Sequence, residues 1–397
     1  MEAVEHVDVL IVGSGPAGAS TALHLVRQDP EWAWKIAVID KAIHPREKLC
    51  GGGVTHLGQR ILARLGLAFE PDHFSVREAR INFQDLSFSF WGNPIIRIVR
   101  RDEFDHWLVR KAEEWGVAVR QGEPLKNIEV HPDYVEVITD RAVIRAKVVV
   151  AADGSRSTVR QKLKWDDESR VARLLEVLTP EDPRMSEEFQ HAAAVFDFSA
   201  TARGMQGYYW DFPSRIKGKA FMNRGVFDSR AQPAKPKADL VQELSDSMAA
   251  RNRDLENYQL KGHPIRWFDK DGRFSISRVI LAGDAAGTDP LVGEGISFAL
   301  AYGDVAAQAI AAAFENDDFT FSDYKERILA HHLLKQLALR ARLARLAYRV
   351  QSEFLIRLGV RFVKFLVRFT RFTDPEQDSS EPVRRYPIDS MDSPDFS

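Results

Sequence analysis

Gly13, Gly15 and Gly18 are spaced as G-x-G-x-x-G, with Pro16 and Ala17 between the last two. Glycines at that spacing let the backbone approach a pyrophosphate, and a helix that starts there aims the positive end of its dipole at the charge. Further along, Asp40 and Lys41 follow an apolar run, where a carboxylate can accept hydrogen bonds from an adenosine ribose. An acid at that point suits a free 2′-hydroxyl and disfavours a 2′-phosphate. Two later segments, VVVAADGSRSTVR at 148–160 and RVILAGDAAGTDPLVGEGISFAL at 278–300, again place an aspartate and glycines directly after an apolar strand. They hold Asp153 and Gly154, then Asp284, Gly293, Gly295 and Ile296. Read blandly, Asp153 and Asp284 are turn residues. Read together with the first segment, they are three loops aimed at one dinucleotide.

Two other groups could act beside it. Cys50 stands in KLCGGGV (48–54), where Gly51 and Gly53 permit close backbone contact with a flat ring. In GYYWDFP (207–213) strand alternation puts Tyr208 and Trp210 on one face and Tyr209 and Asp211 on the other, so half of the motif at most can line a cavity.

These groups need elements to hold them. VDVLIVG, the glycines, ASTALHLVRQ and KIAVID read as strand, turn, helix and strand over 7–40, a βαβ unit. AVIRAKVVVAADG and RVILAGD read as further buried strands of the same sheet, and Gly293 to about Phe314 as an alanine-rich helix. Between them, HAAAVFDF and KAFMNRGVF alternate as an inserted antiparallel sheet. The pattern predicts an α/β chain: a Rossmann-like cofactor unit over 1–164 and 274–320, an inserted antiparallel-sheet substrate unit over 165–273, and C-terminal helices over 321–373. Residues 374–397, rich in Pro, Ser and Asp, are expected to be a disordered tail.

Composition narrows the classes. With 397 residues the chain can enclose a large cofactor, and 45% hydrophobic with 28% charged residues argues against disorder and against a multi-span membrane protein. A net charge of -2 gives no footprint for nucleic acid. One cysteine excludes an internal disulfide and a four-thiolate iron–sulfur cluster, so electrons are expected to pass through an organic cofactor, with no metal. Strand-like sequence from Val7 leaves no secretory leader, which predicts a cytoplasmic location. No apolar run reaches the roughly 20 residues of a membrane span, so membrane contact is expected to be peripheral.

In order, the three loop segments resemble the fingerprints of the glutathione-reductase-like flavoprotein superfamily, which includes aromatic hydroxylases. That resemblance implies FAD, with Asp284 on the ribityl hydroxyls and Gly293, Gly295 and Ile296 opening a helix toward the pyrimidine edge of the flavin. Arg101 in RRDEFDHWL resembles the superfamily's R-x-x-F-D element, whose arginine meets the cofactor; its other reading is a surface arginine at a helix start. KLCGGGV resembles the Lys-x-Cys-Gly-Gly loop of the geranylgeranyl reductase family, flavoenzymes that saturate isolated double bonds of polyprenyl chains. GYYWDFP resembles that family's P-x-x-Y-x-W-x-F-P element, with Met205 in place of the first proline. The resemblance implies hydride transfer from reduced flavin to an alkene carbon of an apolar prenyl chain and a proton to the other carbon. Cys50, Tyr208 and Trp210 are then the catalytic candidates, Cys50 and Tyr208 as proton source or as groups that set flavin geometry, with His56 a further one. In the absence of a second G-x-G-x-x-G, the electron donor is left open between NAD(P)H and a ferredoxin-like protein. Two rival readings share the FAD segments: a monooxygenase or halogenase acting on an aromatic, and a flavoprotein that passes electrons to a partner.

Arg357, Arg361, Lys364, Arg368 and Arg371 form a stripe beside Phe354, Leu358, Phe362, Phe365, Phe369 and Phe372. A helix over 354–372 is expected either to lie on an anionic bilayer or to pack on the catalytic unit.

Overall fold

Val9, Leu10, Ile11 and Val12 are apolar on both faces of their strand, so both faces have to be covered. In the computed structural model, which describes residues 4–165, 170–350 and 352–367, all four are buried at the centre of a largely parallel sheet. The parallel strands lie in the order Val279–Leu281, Val143–Ala151, Val4–Val12, Ile36–Asp40 and Ala118–Gln121. The chain order reverses on either side of Val4–Val12, which opens a crevice at its C-terminal end, the usual ligand position in such sheets. Ser20 Oγ donates to the Leu300 carbonyl at 2.8 Å and binds the helix Pro16–Gln28 to the helix Ile296–Asn316. A Cβ on Gly303 would meet Ser20 Oγ at 2.4 Å, so only glycine permits that approach.

Among the described residues one helix, Ile296–Asn316, is long and apolar enough to span a bilayer, which corrects the expectation that no such run exists. It is a core helix: 78% of its most apolar window is buried in the fold.

The second sheet has eight strands, in the order Lys261–Arg266, Val171–Pro180, Lys219–Asp228, Gly207–Ile216, Ala193–Asp197, His73–Phe83, Leu86–Val99 and Gly53–Thr55. All neighbours are antiparallel except Ala193–Asp197 with His73–Phe83. The sheet therefore draws on 53–99 as well as on 171–266, more than the inserted stretch of 165–273. Local alternation marks His73–Phe83 and Leu86–Val99 as a hairpin, but its pairing to residues more than a hundred positions away leaves no local trace. Downstream, the helices Tyr324–Ala330, Lys335–Ala347 and Glu353–Val367 complete the described chain. Arg368, Phe369, Arg371, Phe372 and the tail of 374–397 lie outside the described residues.

Candidate active site

Three lateral hydrogen bonds assemble the site. Gly13 N donates to the Ile39 carbonyl at 2.8 Å, Ala152 N to Val12 at 2.8 Å, and Ala282 N to Ala151 at 2.9 Å. The loops that carry Gly13, Asp153 and Asp284 thus sit side by side at the sheet's C-terminal edge. They line a cavity of about 690 Å³, within the range of sites for large organic ligands.

Every candidate residue named from the sequence lines this cavity except Gly18 and His56. Gly18 has a packing role: a Cβ there would lie 1.9 Å from the Gly13 carbonyl oxygen, so its absence lets the helix close on the loop. His56 opens the helix His56–Arg64, outside the cavity lining.

Asp40 is occupied by its own loop. Oδ2 accepts from Ser14 N at 2.8 Å and Ser14 Oγ at 2.7 Å, and Oδ1 accepts from Ala42 N at 2.9 Å. Burial favours its neutral form, but these donors and the Arg46 charge outweigh it and hold the carboxyl below the usual range. Lys41 lines the cavity beside it. Asp153 lines the cavity; its Oδ2 accepts from Thr158 N at 2.6 Å and Val159 N at 3.1 Å, as a turn residue would, while Oδ1 is buried without a hydrogen-bond partner. An orphaned acceptor on the wall fits a ligand hydroxyl. Arg101 forks onto Asp105 with two bonds of 2.8 Å, and Arg46 reaches the same carboxylate at 3.1 Å. The R-x-x-F-D spacing places Arg101 and Asp105 one turn apart on the helix Arg101–Glu114, and the fork fixes the guanidinium in the wall.

Opposite the dinucleotide loops stands the aromatic wall. Tyr208, Trp210 and Phe212 face the cavity with Phe196 and Phe227, whereas Tyr209 and Asp211 point the other way into a buried network with Arg224 and Arg251. A Cβ on Gly51 would lie 3.0 Å from the Phe212 ring, so the Cys50 loop packs directly on this wall. Gly52 adopts φ +77 with Val99 O only 2.1 Å from where its Cβ would be, a conformation that fixes the loop's turn. Polar tips in the wall are tied off: Tyr208 Oη donates to the Val292 carbonyl at 2.6 Å and Trp210 Nε1 to Asn223 Oδ1 at 2.8 Å. What these two side chains offer the cavity is their rings.

Three groups that the sequence reading did not single out complete the site. Asn223 Nδ2 donates to the Cys50 carbonyl at 3.2 Å, which links the Cys50 loop to Trp210 through one side chain. Lys48 Nζ and His263 Nε2, both in the cavity wall, are 2.8 Å apart. Burial, opposed by the Asp284 charge, lowers the Lys48 pKa, and burial plus the Lys48 charge pushes His263 down to about 4, so the imidazole is neutral near pH 7. Lys48 is inside the quoted loop motif and could have been found there; His263, in an unremarkable strand, carries no signal.

Glu176 lies beneath the Cys50 loop with Oε2 buried and unpartnered. Burial pushes its carboxyl up to about 7, against the Cys50 backbone, Arg100, Asn223 and Lys261. The folded state therefore binds this proton more tightly than the unfolded chain, where a glutamate titrates near roughly 4.3. The resulting stability is complete below that value and disappears as pH rises through about 7. Glu176→Gln should remove this slope, so that its stability relative to wild type, followed by urea unfolding, improves by on the order of 3 kcal/mol between acid and mildly alkaline pH. Parallel pH profiles of the two proteins would contradict it.

FAD fits these residues. The cavity joins a glycine loop at a helix N-terminus, an orphaned acceptor at Asp153 and a second glycine loop at the helix Ile296–Asn316. There Gly293, at φ +71, has no room for a Cβ against Phe227. Comparison with known proteins agrees. Residues 6–317 match the family model described as FAD binding domain. The menaquinone reductase of Mycobacterium tuberculosis is 28% identical over 338 residues, 78% of each chain. Among solved structures, a geranylgeranyl bacteriochlorophyll reductase-like protein from Thermoplasma acidophilum superposes with a TM-score of 0.70 at 20% identity, over 92% of this chain and 97% of that one. The p-nitrophenol 4-monooxygenase of Pseudomonas putida also gives 0.70, at 18% identity over 92% and 95%. These likenesses confirm the Rossmann-like α/β fold with its second sheet, and the match over most of the chain places this protein in the FAD-binding-domain family, as an FAD-dependent oxidoreductase.

Proposed function

We propose that this enzyme reduces carbon–carbon double bonds of an apolar prenyl chain. The observation that carries the reading is the wall of Tyr208, Trp210, Phe212, Phe196 and Phe227, packed against the Cys50 loop with its polar tips already bonded to protein. A wall of rings whose own polar tips are bonded to protein suits the length of a hydrocarbon chain. The similarity to a menaquinone reductase makes a prenyl chain on a quinone one substrate to test.

Reduced FAD supplies the hydride. The chain's own residues exclude water with the aromatic wall, fix the Cys50 loop through Asn223, and supply a proton to the second carbon. Tyr208 Oη donates its hydrogen bond to the Val292 carbonyl, so in this reading it is a wall and positioning group with Trp210, and the proton comes from the Cys50 thiol or the Lys48 ammonium.

The test is anaerobic incubation of dithionite-reduced holoenzyme with geranylgeranyl diphosphate and with a menaquinone, followed by mass analysis for gain of two hydrogens. Cys50→Ala is expected to slow this gain by roughly 10²-fold, the lower end for loss of a positioned acid, with flavin content unchanged. Full turnover with the same products would remove the thiol from the chemistry. Absence of gain with every prenyl substrate, together with oxygen-consuming NADPH oxidation on adding a phenol, would replace the reading with monooxygenation.

A further inference from the structure

We propose that the helices Lys335–Ala347 and Glu353–Val367 form one platform that seats the protein on an anionic lipid bilayer. The inner side of the first helix is spoken for: Leu337, Ala341, Ala344 and Tyr348 are buried, and Tyr348 Oη donates to the Leu291 carbonyl at 2.9 Å. Its outer side carries Leu339, Leu343 and Leu346 at intervals of four and three residues, an exposed apolar stripe, and Val350, just past the helix end, is exposed as well. The second helix continues the pattern with Phe354, Leu358, Phe362 and Phe365, of which Phe354 is 73% and Phe362 61% exposed. Trp91, 59% exposed, stands on the strand Leu86–Val99 against which that helix packs. Large aromatic and leucine side chains in such a continuous array are uncommon on a surface that faces only water.

Charge selects the occupant. Residues 335–364 contain eight Lys and Arg and one acid, Glu353, in a chain whose net charge is -2. Arg340 turns inward to Asp289 and Glu294, and Arg357 pairs with Asp85, but Lys335, Arg342, Arg345, Arg349 and Arg361 stand exposed beside the apolar stripe. Cations flanking Phe and Leu fit a headgroup layer over hydrocarbon, since the side chains can enter the acyl boundary while the guanidinium groups meet phosphates. A second copy would bring like charge against like. Residues 374–397 hold seven acids and two arginines but only isolated apolar residues, too few to cover two helices. Docking of this kind is independent of which substrate the enzyme takes. With a prenyl lipid as substrate it would keep the Asp289–Glu294 side of the cavity, to which Arg340 ties the platform, beside the membrane that holds it.

The experiment is sedimentation of full-length holoenzyme with vesicles of phosphatidylcholine alone and of phosphatidylcholine mixed with phosphatidylglycerol. Binding to the anionic vesicles should exceed binding to the neutral ones by about tenfold or more and should weaken as salt is added. The combined variant Arg342→Glu, Arg345→Glu, Arg349→Glu, Arg361→Glu should lose this binding while flavin content and melting temperature stay at wild-type values. Leu343→Ser with Phe362→Ser should weaken it at low salt as well. Equal sedimentation with both vesicle types, no sedimentation with either, or undiminished binding of the charge-reversed variant would overturn the proposal. So would a dimer abolished by the same substitutions, which would assign the face to a second copy. Binding that emerges only after removal of 374–397 would assign it to the chain's own acidic segment.

Discussion

Gly13→Ala is expected to yield a protein without flavin. Gly13 has φ +104, and a Cβ there would lie 2.4 Å from the carbonyl oxygen and 2.7 Å from the carbonyl carbon of Ala152. Both obstacles are backbone just past the end of the neighbouring strand Val143–Ala151, so no rotamer change relieves them. The loop has little room to shift, because Gly13 N is bonded to the Ile39 carbonyl and Ser14 is bonded twice to Asp40. Backbone strain alone is worth roughly 1–3 kcal/mol, and the steric overlap adds to it. At 1.4 kcal/mol per decade, FAD affinity should fall by about a hundredfold or more, measured by fluorescence titration of apoprotein and by the visible absorbance of the purified protein. Gly154→Ala provides the comparison: at φ +85 it meets nothing within 4 Å, so it incurs strain without overlap and should retain most of its flavin. A yellow Gly13→Ala protein with wild-type affinity would show that the glycine loop is not the pyrophosphate site.

That contrast indicates what was legible beforehand. The glycines of G-x-G-x-x-G, the two later Asp-Gly loops and the alternation of GYYWDFP are local patterns, and a local pattern reports directly on backbone freedom, helix starts and strand faces. Asp40 shows the limit: its place at the strand end was evident, but its bonding to Ser14 and Ala42 depends on how the loop folds back. The pairing of His73–Phe83 with Ala193–Asp197 was invisible because nothing in either strand encodes its distant partner. Asn223, His263 and Glu176 were missed for the same reason. Each becomes part of the site only when a strand of the second sheet carries it under the Cys50 loop or beside Lys48. The fold class is written in periodicity, whereas much of the polar machinery is written in tertiary proximity.

Arg340 is a case of such proximity with a large expected effect. One guanidinium nitrogen contacts Asp289 Oδ2 at 2.8 Å and Glu294 Oε2 at 2.9 Å, and Asp289 is fully buried. Burial raises the Asp289 pKa, and the Arg340 charge works against that rise. Arg340→Met takes away the counter-charge and leaves a buried carboxylate, a change that costs roughly 3–5 kcal/mol of stability. Asp289 also accepts from Leu291 N at 2.8 Å, so the loss should spread into the loop that carries Gly293 and Gly295 and weaken FAD binding with it. The pH dependence has a definite sign. Without Arg340 the folded-state pKa of Asp289 lies further above its unfolded value, so the proton is bound more tightly in the folded protein and stability is lost as pH rises. The deficit should therefore be smaller in mild acid than in mild alkali. Combining Arg340→Met with Asp289→Asn keeps an acceptor for Leu291 N and removes the unpaired charge, and should recover at least half of the lost stability in urea unfolding. If the single variant unfolds within about 1 kcal/mol of wild type in mild alkali, or the double variant is no better than the single, the ion pair does not hold this loop.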